Sequence, residues 1–100
     1  DAAPAPPTAS ALPPPPGPVH PGRVLLEGFL APAGETQAAF AWRVGWPRAR
    51  LNEFIRGTRG VTADAALDLA EALGTSSKIW MNLQATWDLD AATRRRRTAA

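Results

Sequence analysis

The sequence predicts an all-α domain of five helices behind a proline-rich opening segment. Three observations predict it. After position 19 the apolar residues recur at spacings of three and four, and no stretch alternates as a strand would. Helix punctuation falls between these runs: Pro21 and Pro47 suit first turns, Thr36 and Thr62 suit N-caps, and Gly45, Gly57 and Gly74 follow the last periodic residues. The opening "DAAPAPPTASALPPPPGP" is almost all Pro, Ala and Ser, cannot bury a core, and is expected to be polyproline-like or disordered over residues 1–18.

Each element follows in order. The first helix is expected over 21–30, with Leu25, Leu26 and Phe29 on its apolar face and "APAG" ending it. The second begins after Thr36 and runs to about Val44, with Phe40, Ala41 and Val44 on one side, and Gly45 breaks it. The third takes Pro47 into its first turn and continues to Arg56, closed by Gly57. The fourth starts at Thr62 and ends at Leu73; Ala66, Leu67, Leu69, Ala70 and Leu73 are expected to face inward, with Asp64, Asp68 and Glu71 outside. The fifth starts near Thr75 or Ser76 and runs to about Ala92. At 100° per residue it carries two apolar stripes, Ile79, Trp80, Leu83 and Trp87 on one side and Met81, Ala85 and Leu89 on another. A helix with two stripes needs two partners, its own core and a second subunit, so a homodimer through Met81, Ala85 and Leu89 is expected.

These elements divide the chain into a disordered segment at 1–18, a domain at 19–93 and a basic flexible tail at 94–100. A core drawn from roughly 75 residues is small, so good packing or dimerisation must supplement it. The absence of cysteine excludes disulfides, thiolate metal sites and a cysteine nucleophile. His20 is the single histidine, which leaves a metal without imidazole partners; N-terminal capping or exposure is its expected role, and no metal or cofactor is expected. Asp88 and Asp90 form a carboxylate pair without a pocket, and no phosphate loop or Ser-His-Asp set appears, so an enzyme is not expected. No membrane-length apolar run and no signal-peptide pattern is present, so a cytoplasmic protein is expected.

The isoelectric point near 10.4 owes much to four arginines, Arg94 to Arg97. Between Val19 and Thr93 there is one more acid than base, but the charge is segregated: five arginines from Arg43 to Arg59 face only Glu53, and Asp64, Asp68 and Glu71 follow. Such asymmetry points to one surface that meets a polyanion.

The segment "WPRARLNEFIRG", residues 46–57, gives that surface a shape. With Gln37 as the first position of a helix-turn-helix, Ala41 falls where the two helices touch, Gly45 in the turn, and Val44, Leu51 and Phe54 on the apolar positions that join them. The third helix is then the recognition helix, with Ala49, Asn52, Glu53 and Arg56 opposite its core side and Arg48 at its N-terminal edge. Arginine forks onto guanine, asparagine pairs with adenine, and glutamate accepts from cytosine. Glu53 has a second option, orienting Arg50 or Arg56. Gln37, Arg50 and Arg59 are expected to hold phosphates. The bland alternative is a solvated face in an arginine-rich chain.

These residues, within "HPGRVLLEGFLAPAGETQAAFA" and "GWPRARLNEFIRGTRGVTADAALDLAEALGTSSKIWMNLQATWDL", resemble the HigA antitoxin family of lambda-repressor-like (Xre/Cro-type) helix-turn-helix proteins. The resemblance spans about residues 20–90. It implies a five-helix homodimer on a palindromic operator of double-stranded DNA in its own promoter, and a partner HigB-like toxin, a RelE-like mRNA endonuclease that it neutralises. The chain departs from the family at Arg23 and Gly28, where glutamates are usual, and at Lys78, which replaces a capping-box glutamate. Trp46 stands where Val or Ile is usual, and Trp42 where a polar residue is. Two alternatives stand beside this reading: a protein-interaction module that keeps the fold without specific DNA binding, and a stand-alone phage-type repressor. The arginine run either tracks phosphates, binds an acidic toxin surface, or merely solubilises the chain.

Overall fold

The computed structural model describes residues 17–99, and all regular structure among them is helical. The proline-rich stretch read as disordered falls almost entirely outside the described residues. The first helix, α1 (21–33), opens as an α-helix over Pro21–Leu25, loosens into a π turn over Leu26–Leu30 and closes over Ala31–Ala33. Gly28 lies within the loosened turn, and Pro32 lacks the N–H that would bond the residue 28 carbonyl, so the ladder is weakest there. The helix therefore passes Leu30, its expected end, and stops at Gly34, which caps it in the left-handed conformation.

The next three helices keep the expected punctuation. In α2 (Gln37–Val44) the Thr36 hydroxyl accepts from the Ala39 N–H at 3.0 Å. Pro47 stands at the N-cap of α3 (Arg48–Ile55), and Arg56 closes it. In α4 (Ala63–Leu73) the Thr62 hydroxyl accepts from the Ala65 N–H at 3.1 Å. Each such cap contributes about 1 kcal/mol. The last helix, α5 (Ser77–Ala99), starts with the Ser76 hydroxyl accepting from the Lys78 N–H, and it continues past Ala92 through all four arginines.

The core lies where the five helices meet, around Leu25, Phe40, Leu51, Phe54, Leu69 and Trp80. Two inward assignments need correction. Leu67 is 59% exposed, because the buried arc of α4 is centred on Ala65, Ala66 and Leu69 and Leu67 sits about 160–200° around the helix from Ala65 and Leu69. Ile79 is 51% exposed, about 100° off Trp80, at the margin of the buried side of α5. The second stripe of α5, Met81, Ala85 and Leu89, is exposed as expected. No helix among the described residues is long and apolar enough to cross a membrane.

Candidate nucleic-acid interface

The α2–α3 pair is built as a helix-turn-helix. Gly45 sits in the turn at φ 79°, a conformation that a Cβ would oppose, and its N–H and that of Trp46 both bond the Ala41 carbonyl at 2.9 Å. Ala41 is buried where the two helices touch, and Leu51 and Phe54 are buried beneath α3, with Val44 packed at the margin. Thus all five positions that set the register occupy their expected environments.

Two contacts fix α3 against the rest of the domain. At Gly22 a Cβ would strike the Phe54 carbonyl oxygen, so only glycine lets α1 cross α3 this closely. His20 caps α1, its Nδ1 accepting from the Gly22 N–H at 2.9 Å. Its ring lies edge-on between Phe54 of α3 and Trp87 of α5. Burial holds the His20 imidazole below its ordinary pKa, against the opposing pull of Asp88. Of the two roles expected for His20, capping holds and exposure does not; its place between three helices was signalled by nothing but the adjoining Pro-Gly.

Trp46 forms the floor of the turn. Its indole is buried against Phe54 and donates from Nε1 to the Asp68 carboxylate at 2.9 Å. The Arg50 guanidinium lies over the same ring, 4.1 Å from its centroid, an attraction between cation and π face that holds this half-buried arginine of α3 against the turn. Asp68, read as a solvated acid, is thereby a structural partner of the turn. An indole N–H that needs an acceptor was the available signal.

The outward face of α3 consists of Arg48, Ala49, Asn52, Glu53 and Arg56, all exposed. Asn52 points its amide toward Gln37 of α2, with Nδ2 at 3.5 Å from Oε1. Gln37, Arg48, Ala49 and Asn52 together line an open hollow of about 420 Å³, which Ala49 leaves unobstructed. Of the five arginines in the basic stretch, three are engaged within the protein. Arg43 is clamped by Glu35, at 2.9 and 3.0 Å, and by the Ala72 carbonyl at 2.6 Å, tying α2 to the ends of α1 and α4. The hydrogen bond from Arg43 holds the Glu35 carboxyl below its usual pKa. Arg50 is stacked on Trp46. Arg59 donates through Nε and Nη2 to one oxygen of Glu53, at 3.0 and 2.9 Å.

That last pair corrects the alternative role given to Glu53. It orients neither Arg50 nor Arg56, because the chain turns at Gly57 after α3 and brings Arg59 back beside it. An exposed pair of this kind is worth about 0–1 kcal/mol, so it exchanges readily for a phosphate or a base edge. Arg48 and Arg56 make no ion pair among the described residues and present the free positive charge of the face. Trp42, by contrast, stands 87% exposed on α2 and makes no contact that explains it.

Five helices and a glycine turn that delivers an exposed arginine and amide face define a helix-turn-helix protein of the lambda-repressor-like kind. No family model matches the chain. It is 39% identical to virulence-associated protein I of Dichelobacter nodosus over 74 residues, covering 74% of this chain and 68% of the relative. With antitoxin HigA-1 of Vibrio cholerae it shares 41% identity over 73 residues, covering 72% of this chain and 68% of that one. The structure of Pseudomonas aeruginosa antitoxin HigA with the higBA promoter superposes with a TM-score of 0.77 at 33% identity, covering 82% of this chain and 89% of that one. The chain belongs to the HigA antitoxin family.

Proposed function

We propose that this chain is an antitoxin that represses its own promoter, with α3 entering the major groove of an operator. Arg48, Ala49, Asn52, Glu53 and Arg56 read base edges, and Gln37, Arg50 and Arg59 hold phosphates on either side. The observation that carries the reading is the outward face of α3. It joins two arginines that make no ion pair among the described residues to an amide and an open hollow, on a helix locked from behind by Leu51, Phe54 and the Gly22 crossing. The relative of known structure that lies on promoter DNA supports the same reading.

The domain at 19–93 acts as a homodimer, joined through the exposed stripe of Met81, Ala85 and Leu89, on a palindromic site. Its second partner is a RelE-like mRNA endonuclease of the HigB kind, which it neutralises in the bacterial cytoplasm. The experiment that tests the groove assignment compares wild type with Asn52→Ala and Arg56→Ala on the cognate duplex and a scrambled one. Each substitution is expected to cost about 1–3 kcal/mol on the cognate site and little on the other. Full affinity and full preference in both variants would overturn it.

A further inference from the structure

Beyond the recognition face, the strongest unassigned feature is the far end of α5. Past Trp87, which rests against His20, and Gln84, which accepts from the Val61 N–H at 2.7 Å, the helix leaves the body beside the loop that carries Arg59. Pro18, Ala91 and Arg94 bound the last hollow along it, and every residue from Thr93 to Ala99 is exposed. Arg94 is paired with Asp90 at 2.8 Å. Arg95, Arg96 and Arg97 make no ion pair among the described residues.

Two ordinary explanations fall short. Cations near a helix's last turn offset its dipole, but that is equivalent to about half a charge, which one arginine satisfies. Side-chain pairing along the helix occupies Arg94 alone. What remains is three arginines on a rod free of the body. Successive residues turn by about 100°, so these three point to different sides of the helix. A flat protein surface would meet only part of that ring. A DNA groove about 12 Å wide accepts a helix of similar diameter and lines it with phosphates on two sides.

We infer that the exposed end of α5 is a second, sequence-independent DNA contact, in which Arg95, Arg96 and Arg97 engage backbone phosphates flanking the site read by α3. The inference rests on the proposed operator binding and extends it. The body between Val19 and Thr93 carries one more acid than base, so these arginines supply attraction that it lacks. The exposed stretch rises about 10 Å, and an arginine side chain adds about 6 Å, which together span roughly five base pairs.

The test measures DNA affinity against salt for wild type, the triple Arg95→Ala, Arg96→Ala, Arg97→Ala variant and the corresponding triple lysine variant. Alanine keeps the helix and lysine keeps the charge. Two duplexes from the chain's own upstream region are used, one trimmed to the protected site and one with about ten further base pairs on each side. On the long duplex the alanine variant is expected to lose up to about three units of salt slope per engaged protomer and at least tenfold in affinity at low salt. On the trimmed duplex it should match wild type, and lysine should restore most of the loss. Identical slopes on the long duplex for wild type and the alanine variant would overturn the contact and assign the arginines to an acidic protein or to solvation. A wild type without sequence preference, combined with a lost slope in the variant, would overturn the reading of α3 and leave this contact standing.

Discussion

His20 carries more of the architecture than its number suggests. It accepts from Gly22 through Nδ1, and protonation of that nitrogen abolishes the cap. Because burial lowers its pKa in the folded protein, the unfolded chain takes up the proton first as pH falls through the ordinary value of 6.5. Its contribution to stability is therefore full above that pH and is lost progressively below it. Thermal midpoints measured between pH 7.5 and pH 5 are expected to fall in wild type, on the scale of about 1 kcal/mol for a lost cap. His20→Asn keeps a capping oxygen and should flatten that slope; an equal slope in both proteins would place the sensitivity elsewhere. Glu35 does not confuse the measurement, since the hydrogen bond from Arg43 lowers its carboxyl from an ordinary value already beneath that window, and its own linkage falls at lower pH. Gly22 makes the complementary case. Gly22→Ala pushes a methyl into the Phe54 carbonyl and is expected to cost about 1–3 kcal/mol in chemical denaturation.

At the level of helices, the legible part of the sequence was the part written in local chemistry. Thr36, Gly45, Thr62 and Gly74 act on backbone groups within a few residues, so α2 and α4 have their expected ends and α3 is one residue shorter at each end, with Pro47 and Arg56 as its caps. The outward face of α3 was equally legible, because burial of Leu51 and Phe54 on one side of an eight-residue helix forces Asn52 and Glu53 to the other, with Arg56 exposed at its C-cap. What the sequence did not disclose depends on partners distant in the chain. The pairing of Trp46 with Asp68, 22 residues away, and of Arg43 with the Ala72 carbonyl, 29 away, follows from tertiary packing alone. The π turn in α1 and the length of α5 were missed for a different reason. The stretch APAG signals a helix end, but only its glycine stops the chain while Pro32 loosens the turn before it, and an arginine run, polar all round, gives no helical period to read. Trp46→Val, the smaller residue usual in the family, is expected to lose the Asp68 bond and the platform under Arg50. Weaker binding to all duplexes with unchanged preference would be its mark in anisotropy.

For the whole molecule, the proposed dimer would couple the exposed stripe on α5 to the basic face of α3 by symmetry. Leu89 is 71% exposed and Met81 40%, two helical turns apart on α5 with the exposed Ala85 between them. If they pair two copies, Leu89→Asp should shift sedimentation at micromolar concentration from dimer to monomer while leaving the fold intact by circular dichroism. A wild type that sediments as a monomer would count against the stripe. Monomerisation should also weaken operator binding by far more than the loss of one side chain, because a palindrome rewards two linked recognition helices. The central claim, that α3 reads a sequence, has one direct test. Fluorescence anisotropy with DNA from the chain's own upstream region, against a scrambled duplex, would be run at about 50 and 200 mM salt. The account predicts that affinity falls with salt on both duplexes while the preference for the native sequence persists at the higher concentration. Equal binding to the two duplexes, erased together by salt, would contradict it.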